Sequence, residues 1–111
     1  MTDKAELSLL LDYYGSFLTK RQCELMRMSA DDDMSLSEIA EQVGVSRQAV
    51  RDSLSKASEQ LASMETSLGL MARDMKLRGV ISKLERAREK AASETLALID
   101  ESIGVIESVI R

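Results

Sequence analysis

Residues 35–61 read SLSEIAEQVGVSRQAVRDSLSKASEQL, and this stretch decides how the rest of the chain is interpreted. Ser35 and Glu38 have the spacing of a capping box, so a helix is expected over residues 36–43. Gly44 ends that helix, because glycine adopts the left-handed turn conformation at the lowest cost. Ser46 then caps a second helix. The stretch predicts two helices joined by a short turn.

The apolar residues of this stretch have the offsets that a helix-turn-helix needs. Two helices that cross near a right angle need a small residue where their backbones approach, and Ala40 stands at that position. Val45 is expected to pack beneath the turn. The residues expected to face inward are Ile39, Ala40, Val43, Val45, Val50 and Leu54.

The second helix of the motif is left with a polar outer face. The residues expected there are Arg47, Gln48, Arg51, Asp52 and Ser55. A helix presented in this way fits the major groove of DNA, with its N-terminal residues nearest the base edges. Arginine can bond guanine through two hydrogen bonds, and glutamine can bond adenine. This face is therefore a candidate site for sequence recognition.

Contacts with phosphates are expected beside that face. Lys56 and the backbone amides near Ser46 suit phosphate oxygens, and Lys20 and Arg21 add positive charge at the start of an earlier helix. The candidate nucleic-acid-binding residues are Ser46, Arg47, Gln48, Arg51, Asp52, Ser55, Lys56 and Arg21.

The net charge of the chain is −4, which is unusual for a protein that binds phosphates. Residues 30–45 contain five acidic residues and no basic one, whereas residues 46–56 contain three basic residues and one acidic one. The recognition face is therefore locally positive. The alternative is a helix-turn-helix retained as a structural or protein-binding module.

Further helices are predicted on both sides of the motif. Asp3 caps a helix over residues 4–17, whose buried face contains Leu7, Leu10, Leu11, Tyr14 and either Phe17 or Leu18. Thr19 with Gln22 caps a helix over residues 20–28. The second helix of the motif continues far beyond it, since apolar residues repeat at spacings of three and four. The repeating residues are Leu54, Ala57, Leu61, Met64, Leu68, Met71 and Met75.

Gly69 and Gly79 are candidate breaks in this long helix, and Gly79 is the stronger candidate. A last helix is expected over residues 80–110, with an apolar stripe from Ile99 to Ile110. The predicted organisation is a helix-turn-helix domain over residues 1–62 and a C-terminal helical extension over residues 63–111. The extension is expected to form a homodimer; the alternatives are an intramolecular hairpin and a methionine-rich docking surface for a partner helix.

Composition excludes several classes of function. The 111 residues contain no histidine and one cysteine, Cys23, which leaves few ligands for zinc and no imidazole base for a nucleophile. The aspartates at 31–33 are interpreted as a solvated loop rather than a metal site. No apolar run is long enough to span a membrane, and the N-terminus lacks a signal-sequence pattern. We expect a cytoplasmic protein that is not an enzyme and needs no cofactor.

A family resemblance extends this interpretation over most of the chain. The residues that carry it are LLDYY at 10–14, LTKRQ at 18–22, DDMSLSEIAE at 32–41, VSRQAV at 45–50 and LGL at 68–70. The helix-turn-helix resembles region four of bacterial sigma factors. The chain as a whole resembles the YlxM-like family of small helix-turn-helix proteins.

The resemblance implies an all-α fold, a helix-turn-helix with long C-terminal helices, and binding to DNA or RNA. Genes of this family typically neighbour the gene for the signal recognition particle GTPase, which implies a regulatory role in that pathway. The resemblance also admits a protein-interaction regulator that contacts the GTPase or the RNA of the particle and does not bind DNA. The isoleucine-rich tail from about Ala91 departs from the family pattern.

Overall fold

Six α-helices and one short 3-10 turn follow one another over residues 3–110, the part of the chain that the computed structural model describes. No β-strand occurs in this range, so the predicted all-α class is confirmed. The elements are α1 (Lys4–Tyr14), the 3-10 turn (Gly15–Phe17), α2 (Lys20–Ala30), α3 (Leu36–Val43), α4 (Arg47–Leu68), α5 (Leu70–Arg88) and α6 (Ser93–Ile110).

The chain divides into two compact units. The first ends at Met71 and contains α1 to α4, and the second begins at Ala72 and contains most of α5 together with α6. The sequence placed a boundary after residue 62, which lies inside α4. The observed division comes nine residues later, because α4 is one continuous helix that packs against α1, α2 and α3.

The first four helices begin where their predicted caps place them. The Asp3 carboxylate accepts a hydrogen bond from the Glu6 amide at 2.8 Å. Thr19 and Ser35 each form a reciprocal capping box, and the Ser46 hydroxyl accepts from the Ala49 amide at 3.0 Å. Each cap satisfies a backbone amide that the helix leaves unpaired, and each contributes about 1 kcal/mol.

The core of the first unit consists of two adjoining clusters. One joins α1, α2 and α4 through Leu10, Leu11, Tyr14, Leu18, Met26, Ala57 and Leu61. The other lies under the helix-turn-helix and contains Leu25, Ile39, Ala40 and Val50. Leu54 packs against both clusters. Full burial of one such aliphatic side chain contributes about 1.5–3 kcal/mol.

The end of α1 differs from the prediction. The regular helix stops at Tyr14, and Gly15–Phe17 form the 3-10 turn. Of the two candidates for the last buried position, Leu18 is buried and Phe17 is 65% exposed. The tighter turn has three residues per turn instead of 3.6, so the side chains rotate out of the α-helical register. The helix α2 also ends two residues later than predicted.

The prediction that Val45 packs beneath the turn is wrong. The Val45 side chain is 44% exposed. Its backbone amide donates to the Ala40 carbonyl at 3.1 Å, which holds the residue at the outer edge of the turn. The space beneath the turn is filled by Leu25, Ile39 and Val50 instead.

The two glycine predictions have opposite outcomes. Gly69 adopts a left-handed conformation (φ 63°) and ends α4, which confirms it as a break. Gly79 lies inside α5, so the prediction of a stronger break there is wrong. One glycine within a helix costs only about 1 kcal/mol relative to alanine, which the surrounding good helix formers offset. The predicted helix over residues 80–110 is interrupted at residues 89–92, and α6 begins at Ser93.

The apolar seam predicted from Leu54 to Met75 is interrupted at Leu68, the last residue of α4, although Met71 at the start of α5 still packs against the core. Ala57 and Leu61 are buried, but Leu68 and Met75 are exposed. The heptad register is lost at Gly69, because this left-handed residue ends α4.

Tyr14 supports the junction between α4 and α5. Its buried hydroxyl donates to Glu65 Oε1 at 2.6 Å and accepts from the Leu70 amide at 3.1 Å. The same Glu65 oxygen accepts from the Met71 amide at 3.0 Å. Two amides at the start of α5 are thereby satisfied. Burial, and next the hydrogen bond to Glu65, raise the pKa of the Tyr14 phenol.

The acidic loop after α2 holds part of the first unit together. Asp31 accepts from the Ser8 hydroxyl at 2.6 Å and from Arg27 at 2.9 Å, and Asp33 pairs with Lys4. The hydrogen bond from Ser8, followed by that from Arg27, lowers the pKa of Asp31. No group of three or more metal-ligating side chains occurs within residues 3–110. The loop therefore connects α2 to α1 through its side chains.

The second unit is a pair of helices joined by an ion pair. Arg88 Nε lies 3.1 Å from Asp100 Oδ1, which connects the end of α5 to the middle of α6. Ile99, Ile103 and Ile110 are buried, and another set of apolar residues on α6 is exposed: Leu98 (64%), Val105 (60%) and Val109 (52%). None of the helices between residues 3 and 110 has the length and hydropathy of a membrane span.

Candidate nucleic-acid interface

The turn of the motif has the predicted geometry. Gly44 has φ 80° and ψ 35°, and its amide donates to the Ala40 carbonyl at 2.9 Å. The amide of Val45 donates to the same carbonyl, an arrangement typical of a helix that ends in a Schellman motif. Three residues, 44–46, therefore separate α3 from α4.

The buried side of the motif fixes the orientation of α4. Ile39 and Val50 are fully buried, and Ala40 is buried where the two helices approach. These residues belong to one cluster with Leu25 of α2. Because Val50 is held inward, the residues on the opposite side of the first turns of α4 face solvent.

All of the residues predicted on the recognition face are exposed. Arg47, Gln48, Arg51, Asp52, Ser55 and Lys56 occupy the first three turns of α4, and Ser46 is its N-cap. None of Arg47, Arg51 and Lys56 takes part in an ion pair with another residue of the described range. These cations are therefore available to an anionic ligand. Their role in binding stays a prediction.

Two polar residues of this face contact each other. Gln48 Nε2 donates a hydrogen bond to Asp52 Oδ1 at 2.9 Å, across one turn of α4. The bond holds the amide of Gln48 against the helix surface. It also holds Asp52, the only carboxylate of the candidate set, next to Gln48.

Arg21 lies apart from the N-terminal turn of α4. It is exposed in the first turn of α2, and the side chain of its neighbour Gln22 donates to Gln60 Oε1 at 2.9 Å. Gln60 is 13 residues after Arg47, or about 20 Å along the helix. Gln22 and Lys56 line one shallow depression. Arg21 therefore lies nearer to Lys56 than to the residues that would reach base edges.

A groove beside Arg51 was not foreseen from the sequence. It has a volume of about 780 Å³ and lies between α1, α2, α4 and the start of α3. Leu7, Met26, Leu36 and Leu54 line it, and Arg51 is at its edge. Leu7 and Leu54 were assigned to the core from their spacing, and spacing alone does not show that the helices leave a gap between them.

The helices α3 and α4, joined by the left-handed turn at Gly44 and packed through Ile39, Ala40 and Val50, define a helix-turn-helix protein. The chain belongs to the UPF0122 family, whose model carries the description "Putative helix-turn-helix protein, YlxM / p13 like" and matches residues 1–100. The family resemblance seen in the sequence is confirmed. Residues 101–111, which include the second half of α6, lie outside the match.

Relatives cover nearly the whole chain. A UPF0122 protein of Clostridium botulinum is 42% identical over 91 residues, 81% of this chain and 84% of the relative. A UPF0122 protein of Desulforamulus reducens is 37% identical over 115 residues, 100% of this chain and 96% of the relative. A UPF0122 protein of Halalkalibacterium halodurans is 38% identical over 109 residues, 96% of this chain and 100% of the relative.

Proposed function

We propose that this protein is a non-enzymatic cytoplasmic regulator that binds nucleic acid through the first turns of α4. The observation that carries the proposal is the exposure of Arg47, Gln48 and Arg51 on a helix that Val50 holds in place. Membership of a helix-turn-helix family supports it. No cofactor is needed for this function.

The residues of α4 divide into two kinds of contact. Arg47 and Arg51 suit the acceptor pair on guanine, and Gln48 suits adenine through its second N–H and its carbonyl oxygen. Ser46, Ser55 and Lys56 suit phosphate oxygens on either side, and Arg21 adds a more distant phosphate contact. With few basic residues in a chain of net charge −4, binding by one copy is weak and sensitive to salt.

A homodimer through the C-terminal helices would provide two recognition helices for two half-sites. The isoleucine stripe named from the sequence is largely buried within the chain, so the dimer contact is assigned to Leu98, Val105 and Val109. These residues recur at spacings of seven and four along one side of α6. Two copies can place this side against itself about a twofold axis.

On the basis of the family resemblance, we propose that the protein acts in the signal recognition particle pathway. The nucleic acid is then either DNA near the genes of that pathway or the RNA of the particle. The second candidate function, regulation of its GTPase without nucleic-acid binding, would use a protein surface. The apolar groove beside Arg51 favours it as an alternative, because a groove of this kind suits an apolar side of a partner helix.

One experiment separates these functions. Binding of the protein to promoter duplex, to particle RNA and to the GTPase is measured at about 50 and 200 mM salt, where phosphate contacts differ strongly in strength. The measurement is repeated with Arg47→Ala/Arg51→Ala. A control with the same loss of charge, Arg78→Ala/Lys90→Ala, changes exposed residues outside α4.

The proposal predicts that duplex or RNA binding falls in the α4 variant much more than in the control, while GTPase binding survives. Unchanged nucleic-acid affinity in the α4 variant would reject recognition through α4. Binding to the GTPase alone would favour the second candidate function.

A further inference from the structure

Helix α5 has a charge opposite to that of the chain as a whole. It contains six basic and two acidic residues, a net charge of +4, in a protein of net charge −4. The next helix, α6, contains four acidic residues and no basic one. Positive charge in the second unit is therefore concentrated on one helix.

Three of the basic residues form a stripe along one side of α5, which we name the α5 stripe: Lys76, Lys83 and Arg86. At 3.6 residues per turn they fall within an arc of about 80° and extend about 15 Å along the helix. All three are exposed. The half-buried residues Leu77, Ile81 and Leu84 lie on the other side of the helix.

The cations of the α5 stripe have no anionic partner within residues 3–110. By contrast, Arg73 pairs with Asp74 at 2.9 Å, and Arg88 pairs with Asp100 at 3.1 Å. The two arginines that flank the stripe are thus used within the second unit, and the stripe itself is left to solvent.

Gly79 lies in the middle of the α5 stripe. A Cβ atom added there would meet no heavy atom within 4 Å, so the packing of the helix does not require glycine. Its backbone is helical, so the turn geometry does not require glycine either. A glycine on an open helix surface lets another backbone approach closely. Gly79 therefore leaves a bare strip of helix, in which no side chain covers the backbone, between Lys76 and Lys83.

We propose that the α5 stripe binds the phosphodiester backbone of nucleic acid, independently of sequence. This inference rests on the proposed nucleic-acid function and adds a second contact surface to it. Three cations around a bare strip suit a row of phosphates. A protein partner fits less well, because lysine is depleted at protein interfaces and the centre of the stripe offers no side chain to bury.

The test removes the charge of the stripe without changing its length. Lys76→Gln/Lys83→Gln/Arg86→Gln is compared with the wild-type protein by fluorescence anisotropy over a salt series, with a duplex DNA and an RNA hairpin as separate probes. Each lost phosphate contact lowers the slope of log K against log salt by about 0.9 on duplex DNA. We expect the slope to fall by about 2–3 and the affinity at 0.1 M salt to fall about 100-fold.

The two probes distinguish the source of the phosphates. If the variant loses affinity for the RNA hairpin alone, the α5 stripe binds RNA, and if it loses affinity for the duplex alone, the stripe binds DNA. Either result supports the inference. The matched control is a pair of single variants on the same helix. Lys83→Gln should lower the slope, and Arg78→Gln, exposed but outside the arc, should not. Equal effects of the two variants would show a simple effect of net charge and overturn the inference.

Comparison with Arg47→Ala/Arg51→Ala separates failure of this inference from failure of the proposed function. Loss of binding in the α4 variant with an unchanged slope in the stripe variant would overturn the stripe alone. A lower slope in the stripe variant with full binding by the α4 variant would support the stripe and reject recognition through α4. A stripe variant that changes from dimer to monomer and keeps its affinity for nucleic acid would assign the stripe to a protein contact and overturn the inference.

Discussion

The side-chain amide of Gln48 donates to the carboxylate of Asp52 at 2.9 Å, between successive turns of α4. The glutamine best placed to read a base is therefore bonded to the one acidic residue on the same face. The amide keeps a second N–H and its carbonyl oxygen for other partners, so nucleic acid that binds as proposed would meet a Gln48 oriented by Asp52 and would approach the negative charge of that carboxylate.

Asp52→Ala should therefore strengthen binding to nucleic acid. The substitution frees the Gln48 amide and removes a carboxylate whose repulsion of a nearby phosphate is about 1 kcal/mol in water. The expected gain in affinity is about fivefold at low salt. Fluorescence anisotropy measures it, with Glu24→Ala as a control that removes an exposed acidic residue from α2. Equal gains in both variants would mean that Asp52 has no local role.

Gly44→Ala should destabilise the first unit by about 1–2 kcal/mol, because alanine strains a backbone with φ 80°. Gly79→Ala should have the opposite sign and stabilise the protein by up to about 1 kcal/mol, since it adds a helix former to open space. Urea unfolding followed by circular dichroism measures both. Destabilisation by Gly79→Ala would contradict a continuous α5 at that residue.

Tyr14→Phe should lower the free energy of unfolding by about 1–3 kcal/mol, because it leaves Glu65 and the Leu70 amide without the hydroxyl. Burial raises the pKa of Tyr14 above 10.0, so the folded state favours the protonated phenol. That contribution to stability is complete below pH 10.0 and is lost as the pH rises through the folded pKa.

The pH dependence of the free energy of unfolding tests the raised pKa of Tyr14, which the loss of stability at one pH does not test. The wild-type protein should lose stability above pH 10 more steeply than Tyr14→Phe, because the two proteins differ only in the buried phenol. Parallel stability curves for the two proteins would contradict the raised pKa.

Val105→Asp should convert the proposed dimer into monomers, because it places a charge in the centre of the exposed apolar stripe on α6. Ala97→Asp, on another side of the same helix and also exposed, should leave the dimer intact. Two α6 helices without basic residues repel each other, so added salt should strengthen the dimer while it weakens nucleic-acid binding. Sedimentation that shows a stable monomer of the wild-type protein at micromolar concentration would reject the dimer.

Local chemistry explains which parts of the fold were predictable. Caps such as Ser35 and Ser46 act over three residues, and a left-handed glycine such as Gly44 acts at its own position, so sequence alone located the turn and the starts of α1 to α4. Gly79 stays helical because the good helix formers around it in α5 offset the low helix propensity of one glycine. A local sequence pattern does not show whether that compensation is sufficient.

Side-chain direction was predictable in helices and not in turns. The 3.6-residue period placed Val50 inward and Arg51 outward correctly, whereas Val45 follows a left-handed residue and the period does not extend across it. On α6, both apolar stripes have helical spacing, and only packing shows that Ile103 is buried and Val105 exposed. The exposure of the six candidate residues from Arg47 to Lys56 could be predicted because all six lie within one regular helix, and their role in binding stays a prediction.

The most direct measurement of the central claim is a titration followed by the backbone amide signals in NMR spectra of the protein. Promoter duplex and particle RNA are each added to the labelled protein at low salt. We expect the largest shifts at residues 46–56 and expect them to disappear in Arg47→Ala/Arg51→Ala, while the signals of the core residues Ile39 and Val50 show that the variant remains folded. Saturable binding of either nucleic acid that leaves the signals of residues 46–56 in place would contradict the claim.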